Sequence, residues 1–197
     1  MKLGFISDLH ANVRLPFARV DQGGISSDRL RDVIDVLTQA GKVCQREGVS
    51  GLYILGDLFD QKHPDGATLV AVSRVLRQLA DGGTPVHILP GNHDAVDRDG
   101  RLYTLQFLEA LKVPGIQVLG HETVEATPGV LLHAMPWLPD SRAYKRMKAI
   151  DKGEGDRNIL LFHQSVVGAI GDAGWVSDEG LPKGAHAGYE YSLSGHY

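Results

Sequence analysis

The chain has 197 residues and a formal net charge of -4 at pH 7, and this length suits one domain that buries about 70% of its unfolded surface. The mild negative charge argues against a globally basic nucleic-acid-binding protein, although a local basic face is compatible with it. The single cysteine, Cys44, cannot form an internal disulfide. Neither a signal-peptide pattern nor a run of about 18 apolar residues is present, so we expect a cytoplasmic protein with no membrane association.

The first half of the sequence alternates short apolar runs with amphipathic stretches. Strand-like runs lie at residues 3–6, 52–55 and 86–89, and helices are predicted over residues 27–47, 65–80 and 102–111. Ser26 or Ser27 is the predicted N-cap of the first helix, and Gly48 is its predicted stop. Strands and helices that alternate through short connections form right-handed crossovers, so this half predicts a parallel sheet.

The second half contains shorter apolar runs separated by turns. Runs at residues 115–119, 123–126, 130–135 and 158–162 predict a second sheet with antiparallel pairs, and a last strand is expected at residues 190–193. Residues 141–152 predict a basic helix. Residues 166–188 are rich in glycine and polar side chains and predict a long loop over the site or over a partner surface.

Four of the strand-like runs end in side chains of the kinds that bind metal ions. These are Asp8 and His10 after the first run, Asp57 and Asp60 after the second, Asn92, His93 and Asp94 after the third, and His163 at the end of run 158–162. Ligands of an open α/β sheet bind beyond the carboxyl ends of its strands, so we expect these groups to converge. The pattern indicates a metal-dependent hydrolase.

The order of these motifs resembles that of the calcineurin-like metallophosphoesterases. It runs D-x-H, G-D-x-x-D, G-N-H-D, a strand that ends in His, and a closing G-H. Pro64, the P-W-L-P run at residues 136–139 and the sequence Ser194-Gly195-His196 further resemble the SbcD-type DNA repair nuclease subunits and their bacteriophage relatives. The resemblance covers nearly the whole chain and implies the two-sheet αββα sandwich of the metallophosphoesterase type, with mixed sheets flanked by helices.

The resemblance also implies that residues 1–197 form a single catalytic domain. The family's last motif is G-H-x-H, whose second His would fall just beyond Tyr197. We therefore expect the chain to be truncated within this motif, as a fragment or as a family member that lacks the last strand.

The expected cofactor is a pair of divalent metal ions. Asp8 and His10 are two residues apart, which places both on one side of an extended segment, and Asp57 is the expected bridging ligand. By the resemblance, Asn92, His163 and His196 complete the second ion's ligands. A mixture of imidazole, carboxylate and amide oxygen suits Mn, Fe or Zn, and the family favours Mn.

His93 and Asp94 are the candidate catalytic residues. His93 follows a predicted ligand directly, so it should stand at the rim of the site, where its imidazole could donate to a phosphoryl oxygen or leaving group. Asp94 is expected to orient that imidazole. Asp60 is a second-tier candidate, because it could equally cap the following loop.

Five other histidines are excluded from the predicted site. His87 and His133 lie within predicted strands and are expected in the core or on a sheet face. His63, His121 and His186 lie in predicted loops and are expected to be solvated.

The predicted basic helix offers Arg142, Lys145 and Arg146 as contacts for a nucleic-acid backbone. An ordinary solvated helix face explains the same charges equally well.

These observations predict a binuclear phosphoesterase that uses a metal-bridging hydroxide, with DNA as the expected substrate of an SbcD-like exonuclease or endonuclease. Two alternatives stay open. One is a phosphomonoesterase or small-molecule phosphodiesterase on the same site, since fold and metals do not separate it from a nuclease. The other is a non-catalytic fragment or adaptor with an incomplete metal site. By the resemblance, a large ATPase partner belongs to a full-length protein and not to this chain, and a homodimer is left open.

Overall fold

The computed structural model describes residues 2–153, 155–171 and 174–196. The sequence predicted that the chain is truncated within its last motif, at Tyr197. This residue lies outside the described ones. The first sheet contains β1 (Gly4–Ile6), β2 (Leu52–Leu55), β3 (Val86–Leu89) and β4 (Ile116–Val118), in that spatial order and all parallel. The parallel sheet predicted from the first half of the sequence is therefore confirmed.

Two long helices cover the outer face of this sheet. Helix α1 (Asp28–Glu47) begins where the Ser27 hydroxyl accepts from the Leu30 amide at 3.1 Å, and it ends at Gly48, whose φ of 62° is left-handed. Helix α2 (Gly66–Asp81) begins in the same way, with the Asp65 carboxylate accepting from the Thr68 amide. The short helix α3 (Gln106–Leu111) starts four residues later than predicted.

The second sheet contains β5 (Glu122–Thr127), β6 (Val130–Met135), β7 (Arg157–His163) and β8 (Tyr191–Gly195) in that order. Strands β5 and β6 are antiparallel, whereas β6, β7 and β8 run parallel. The run at residues 115–119, which was predicted to join this sheet, instead pairs with β3 in the first one. That assignment was wrong.

The two sheets face each other, and side chains alternate between the layers because successive strand residues point to opposite faces. In β2, Ile54 packs toward the α1 and α2 layer, while Tyr53 and Leu55 pack between the sheets. From the second sheet, Leu132 and Leu161 enter the same inter-sheet core. The αββα sandwich is thus confirmed, with mixed pairing in the second sheet.

Helix α4 (Asp140–Lys148) covers the outer face of the second sheet, where Ala143 and Met147 pack with Phe162. It ends four residues earlier than predicted. In the following loop, Leu181 and Ala185 pack into the same cluster. These two residues of the predicted loop therefore form part of this outer layer. Within the described residues, no helix is long and apolar enough to cross a membrane.

Candidate metal centre

The predicted ligands converge at the carboxyl ends of the strands, and backbone hydrogen bonds join the first two loops that carry them. The amide of Asp8 donates to the carbonyl of Gly56 at 3.1 Å, and the amide of His10 donates to the carbonyl of Asp57 at 2.9 Å. Ala11 continues the pairing with Leu58. The two motifs therefore form one short extension of the first sheet, which fixes their side chains relative to each other.

Four predicted ligands have left-handed backbone conformations. The φ angles are 55° at Asp8, 47° at His10, 51° at Asp57 and 57° at His196. Non-glycine residues seldom adopt this region, although Asp and His do so more readily than most. Each strand thus turns sharply at its end, and such outliers concentrate at functional sites.

Asp57 belongs to two groups of potential ligands. One group contains Asp8 and His10, the other contains His163 and His196, and within each group the ligand atoms lie within 4.8 Å of one another. Oδ2 of the buried Asp57 lies 3.2 Å from Nε2 of His163 and 3.7 Å from Nε2 of His10. One carboxylate oxygen therefore faces both groups, as a bridging ligand must.

The environment of His163 fits a cation. Its Nδ1 lies 2.7 Å from the Leu55 carbonyl, to which it donates, so in the neutral ring Nε2 carries the lone pair. Nε2 faces Asp57 Oδ2 and, at 3.0 Å, Asn92 Oδ1. Lone pairs brought this close need a positive charge between them. In the same site, Nδ1 of His10 is buried without a hydrogen-bond partner, so the residues present fit metal ions.

Asp57 and His163 each stabilise the charged form of the other. Burial opposes ionisation of Asp57, but the His163 imidazole and the His93 amide outweigh it and lower the pKa of the carboxyl group. Burial likewise opposes charge on His163, but the Asp57 carboxylate outweighs it and raises the pKa of the imidazole. Without a metal ion, a proton on Nε2 of His163 is therefore the positive charge that lies between the two side chains.

His93 stands beside this pocket. Its amide donates to Asp57 Oδ1 at 2.9 Å, and its Nδ1 lies 2.6 Å from the backbone carbonyl of Asp60. Its ring meets that of His10 edge to face, with centroids 4.8 Å apart. His10, Asp60 and His93 form a third group whose ligand atoms lie within 4.8 Å of one another. Asp60 thus lies beside His10 and His93.

Asp94 does not hydrogen-bond to the His93 imidazole, so the expectation that it orients this ring was wrong. Its buried carboxylate accepts from the amides of Gly91 at 2.9 Å and Phe59 at 3.1 Å. These hydrogen bonds join the loop after β2 to the loop after β3. Burial dominates over them and raises the pKa of Asp94 to about 6. The ring of His93 is oriented by the Asp60 carbonyl instead.

Comparison with known proteins agrees with this geometry. The family model for calcineurin-like phosphoesterases matches residues 1–196. The chain belongs to this family. The resemblance found in the motifs is therefore confirmed, and groups of potential metal ligands lie at the carboxyl ends of the strands.

Individual relatives fall into two groups. The DNA double-strand break repair protein Mre11 of Saccharolobus solfataricus is 30% identical over 86% of this chain and 44% of its own. The UDP-2,3-diacylglucosamine hydrolase of Nitrosococcus oceani is 31% identical over 74% of this chain and 50% of its own. A solved dimetal phosphatase from Danio rerio overlaps 67% of this chain and 43% of its own, with a TM-score of 0.41 and 18% identity. The phosphoesterase chain spans at most about half the length of these curated relatives.

Three glycines make room for His163 and Asp57, which are potential metal ligands. A Cβ at Gly56 or at Gly195 would collide with the His163 imidazole, and a Cβ at Gly91 would collide with Asp57. Gly56 also has a φ of 93°. The motifs already contained Gly56 and Gly91 as turn residues, but the role of Gly195 depends on a contact that the sequence does not display.

His196 completes the second ligand group from the end of β8. Its amide lies 3.2 Å from Asp8 Oδ2, and its ring centroid is 5.2 Å from that of His163. Burial, with a contribution from His163, lowers the pKa of His196. A neutral imidazole is the form that binds metal ions.

The two histidines of predicted strands that were excluded from the candidate site lie away from the potential metal ligands. His133 is buried between Thr123 and Asn158, and His87 pairs with Gln117 on β4. Their placement in a core or on a sheet face is confirmed.

Two of the three loop histidines differ from expectation. His63 is exposed, but His121 and His186 are half-buried, and each has a buried Nδ1 without a hydrogen-bond partner. The expected solvation of these two was wrong, because sequence position in a loop does not reveal what packs over it.

The three residues of α4 that were predicted to contact a nucleic-acid backbone are not among the potential metal ligands. Arg142 binds the Asp99 carboxylate at 3.0 Å, and Arg146 donates to the His121 carbonyl at 3.0 Å. Together with Lys145 they line a cleft at the edge of the sandwich.

Proposed function

We propose that the chain is a binuclear metal-dependent phosphodiesterase that cleaves DNA, with its single catalytic domain in residues 1–197 and Mn as the preferred metal. The observation that carries this proposal is the position of Asp57 Oδ2 between the two ligand groups. In this proposal, the first ion is held by Asp8, His10 and Asp57. The second is held by Asp57, Asn92, His163 and His196.

Metal ions bound there would activate a water molecule and neutralise charge that develops on the phosphoryl group. The chain itself supplies fixed ligands. The Leu55 carbonyl holds His163 in the tautomer that keeps Nε2 free for binding. The left-handed turns at Asp8 and Asp57 set the direction of their carboxylates before any ion binds.

His93 is the proposed proton donor to the leaving oxygen. The Asp60 carbonyl engages Nδ1 of this residue, so Nε2 is the nitrogen left for a substrate. The His93 amide is simultaneously bound to Asp57. The proton donor and the proposed bridging ligand are therefore held at a fixed separation, as general acid catalysis requires.

Two alternative functions must be distinguished from DNA cleavage. The similarity to Mre11 proteins covers most of the chain and supports DNA as substrate. The similarity to UDP-2,3-diacylglucosamine hydrolases supports a small phosphate ester or diphosphate substrate on the same ligands. A non-catalytic adaptor is the third candidate and predicts weak or incomplete metal binding.

The decisive experiment compares hydrolysis of single-stranded DNA with hydrolysis of bis(p-nitrophenyl) phosphate and p-nitrophenyl phosphate, all with added Mn. DNA cleavage that exceeds that of both aryl esters, and that disappears in Asp57→Asn, is the expected result. A preference for either aryl ester with no DNA cleavage would support the small-molecule candidate. Elemental analysis showing no bound metal, together with no hydrolysis of any substrate, would support the adaptor.

A further inference from the structure

Helices α3 and α4 face each other across a cleft of about 740 Å³ at the edge of the sandwich. We call this the edge cleft. Its apolar lining includes the buried side chains of Val118, Leu119 and Leu138. Pro90, which directly precedes the Gly91 that packs on Asp57, lines it as well. The edge cleft therefore begins two residues from the predicted ligand Asn92, yet none of the grouped metal ligands lines it.

The lining also carries an excess of positive charge. It contains Arg101, Arg142, Lys145 and Arg146 against the carboxylates of Asp99 and Glu109. Asp99 is already bound on both sides, by Arg101 at 3.1 Å and by Arg142 at 3.0 Å. Within the described ranges, Lys145 forms neither an ion pair nor a hydrogen bond through its ammonium group. A free cation thus stands at the rim of an apolar cleft.

Two polar side chains in the lining also lack partners. The half-buried Gln106 contributes a carboxamide for which the described residues provide no hydrogen bond. His121 contributes a buried Nδ1 that likewise has no partner. Burial, helped by Arg146, lowers the pKa of His121 to about 4, so its imidazole is neutral at pH 7. Unpaired polar groups in a concave, mostly apolar cavity of this size are typical of small-molecule sites.

We propose that the edge cleft binds a nucleotide, with the base against Val118, Leu119 and Leu138, the base edge hydrogen-bonded by Gln106 or His121, and the phosphate at Lys145. Each part of a nucleotide has a matching group in the edge cleft. Apolar side chains match the flat base, the unpaired polar groups match the base edge, and Lys145 matches the phosphate. As a site for a free nucleotide, the edge cleft is independent of the proposed function. As a site for one unit of a DNA strand, it rests on that function.

The test measures binding of dAMP and of a fluorescent single-stranded oligonucleotide in the presence of EDTA, so that the metal centre does not contribute. Ala149→Trp should fill the edge cleft from an exposed position without removing a packing contact. Lys145→Glu should reverse the free charge. Each should weaken binding by about tenfold or more. Lys148→Glu is the matched control, since it changes the same charge on the same helix outside the lining.

Binding of dAMP that is weakened by Ala149→Trp and Lys145→Glu but not by Lys148→Glu supports a free nucleotide. Binding of the oligonucleotide alone, with the same pattern among the variants, supports a nucleotide unit within a strand. Absence of binding by both probes overturns the proposal, as does binding that Ala149→Trp leaves unchanged. Loss of DNA hydrolysis in Asp57→Asn with dAMP binding retained separates this site from the proposed catalytic one.

Discussion

Oδ2 of Asp57 lies 3.2 Å from Nε2 of His163, and both side chains are almost completely shielded from solvent. The pKa of Asp57 is lowered and that of His163 is raised because each group stabilises the charged form of the other against the effect of burial. A pair of this kind binds a proton when no cation is present and releases it when one arrives. Metal binding at this position would therefore be coupled to the loss of a proton from the pair.

Asp57→Asn should lower the content of both metal ions and abolish hydrolysis, because the amide carries no charge and the same oxygen faces both ligand groups. Elemental analysis of the purified variant measures the metal content directly. Asp35→Asn, on the exposed side of α1, is the control and should keep wild-type metal content. Two ions per chain in Asp57→Asn would remove Asp57 from the bridging position.

His93→Ala should keep its metal ions but lower turnover by about 100-fold, the usual scale for the loss of a general acid. The reason is that the His93 ring contacts the Asp60 carbonyl, while its amide, which the substitution retains, holds Asp57. Metal analysis and kcat are measured on the same preparation. Loss of metal would instead show that His10, Asp60 and His93 act as a ligand group.

Gly56→Ala should destabilise the protein by more than about 2 kcal/mol, because the new methyl group would collide with the His163 imidazole at a φ of 93°. Denaturant unfolding measures the loss of stability. Gly24→Ala is the matched control. It shares a positive φ, but nothing lies within 4 Å of its added Cβ, so only the backbone cost of about 1 kcal/mol is expected. Equal effects in the two variants would show that the collision is relieved by small shifts.

His121 should make stability dependent on pH. Burial and Arg146 lower the pKa of His121 from 6.5 to about 4 in the folded protein. Between these values the unfolded chain binds the proton more readily, so the contribution is complete above pH 6.5 and is lost as the pH falls toward 4. His121→Gln should therefore show a smaller fall in Tm than the wild type between about pH 7.5 and about pH 5.

The exposed His63 provides the comparison for this experiment. The Tm of His63→Gln at both pH values measures what the removal of one exposed imidazole does. A parallel fall in Tm for His121→Gln and the wild type would show that His121 is protonated equally well in the folded and unfolded states.

Local sequence signals predicted the helices of the first half well. Ser27 and Gly48 bound α1 as expected, because caps depend on the residue itself and its immediate neighbours. The end of α4 was predicted four residues too late, since Ile150 and Lys152 continue a plausible pattern beyond Ala149. The strand at residues 116–118 was placed in the wrong sheet, because an apolar run does not specify its pairing partner.

The candidate site likewise contains positions that the sequence predicted and contacts that it did not. The positions of Asp57 and His163 at strand ends followed from the run of apolar residues before each. The actual partner of Asp94 could not be predicted, because its carboxylate accepts from a backbone amide 35 residues away, at Phe59. The orientation of His93 by a backbone carbonyl was equally hidden, since every residue has one.

The left-handed backbone at Asp8, His10, Asp57 and His196 limits how such a site can change over evolutionary time. A β-branched residue at any of these positions would be disfavoured by its own backbone before its chemistry mattered. The accessible replacements are mostly Gly, Asn, Asp and His, and three of these four also bind metals through their side chains. The substitutions that this backbone tolerates therefore mostly retain a side chain that can bind a metal ion. The identity of the bound metal can change more easily than the ability to bind one.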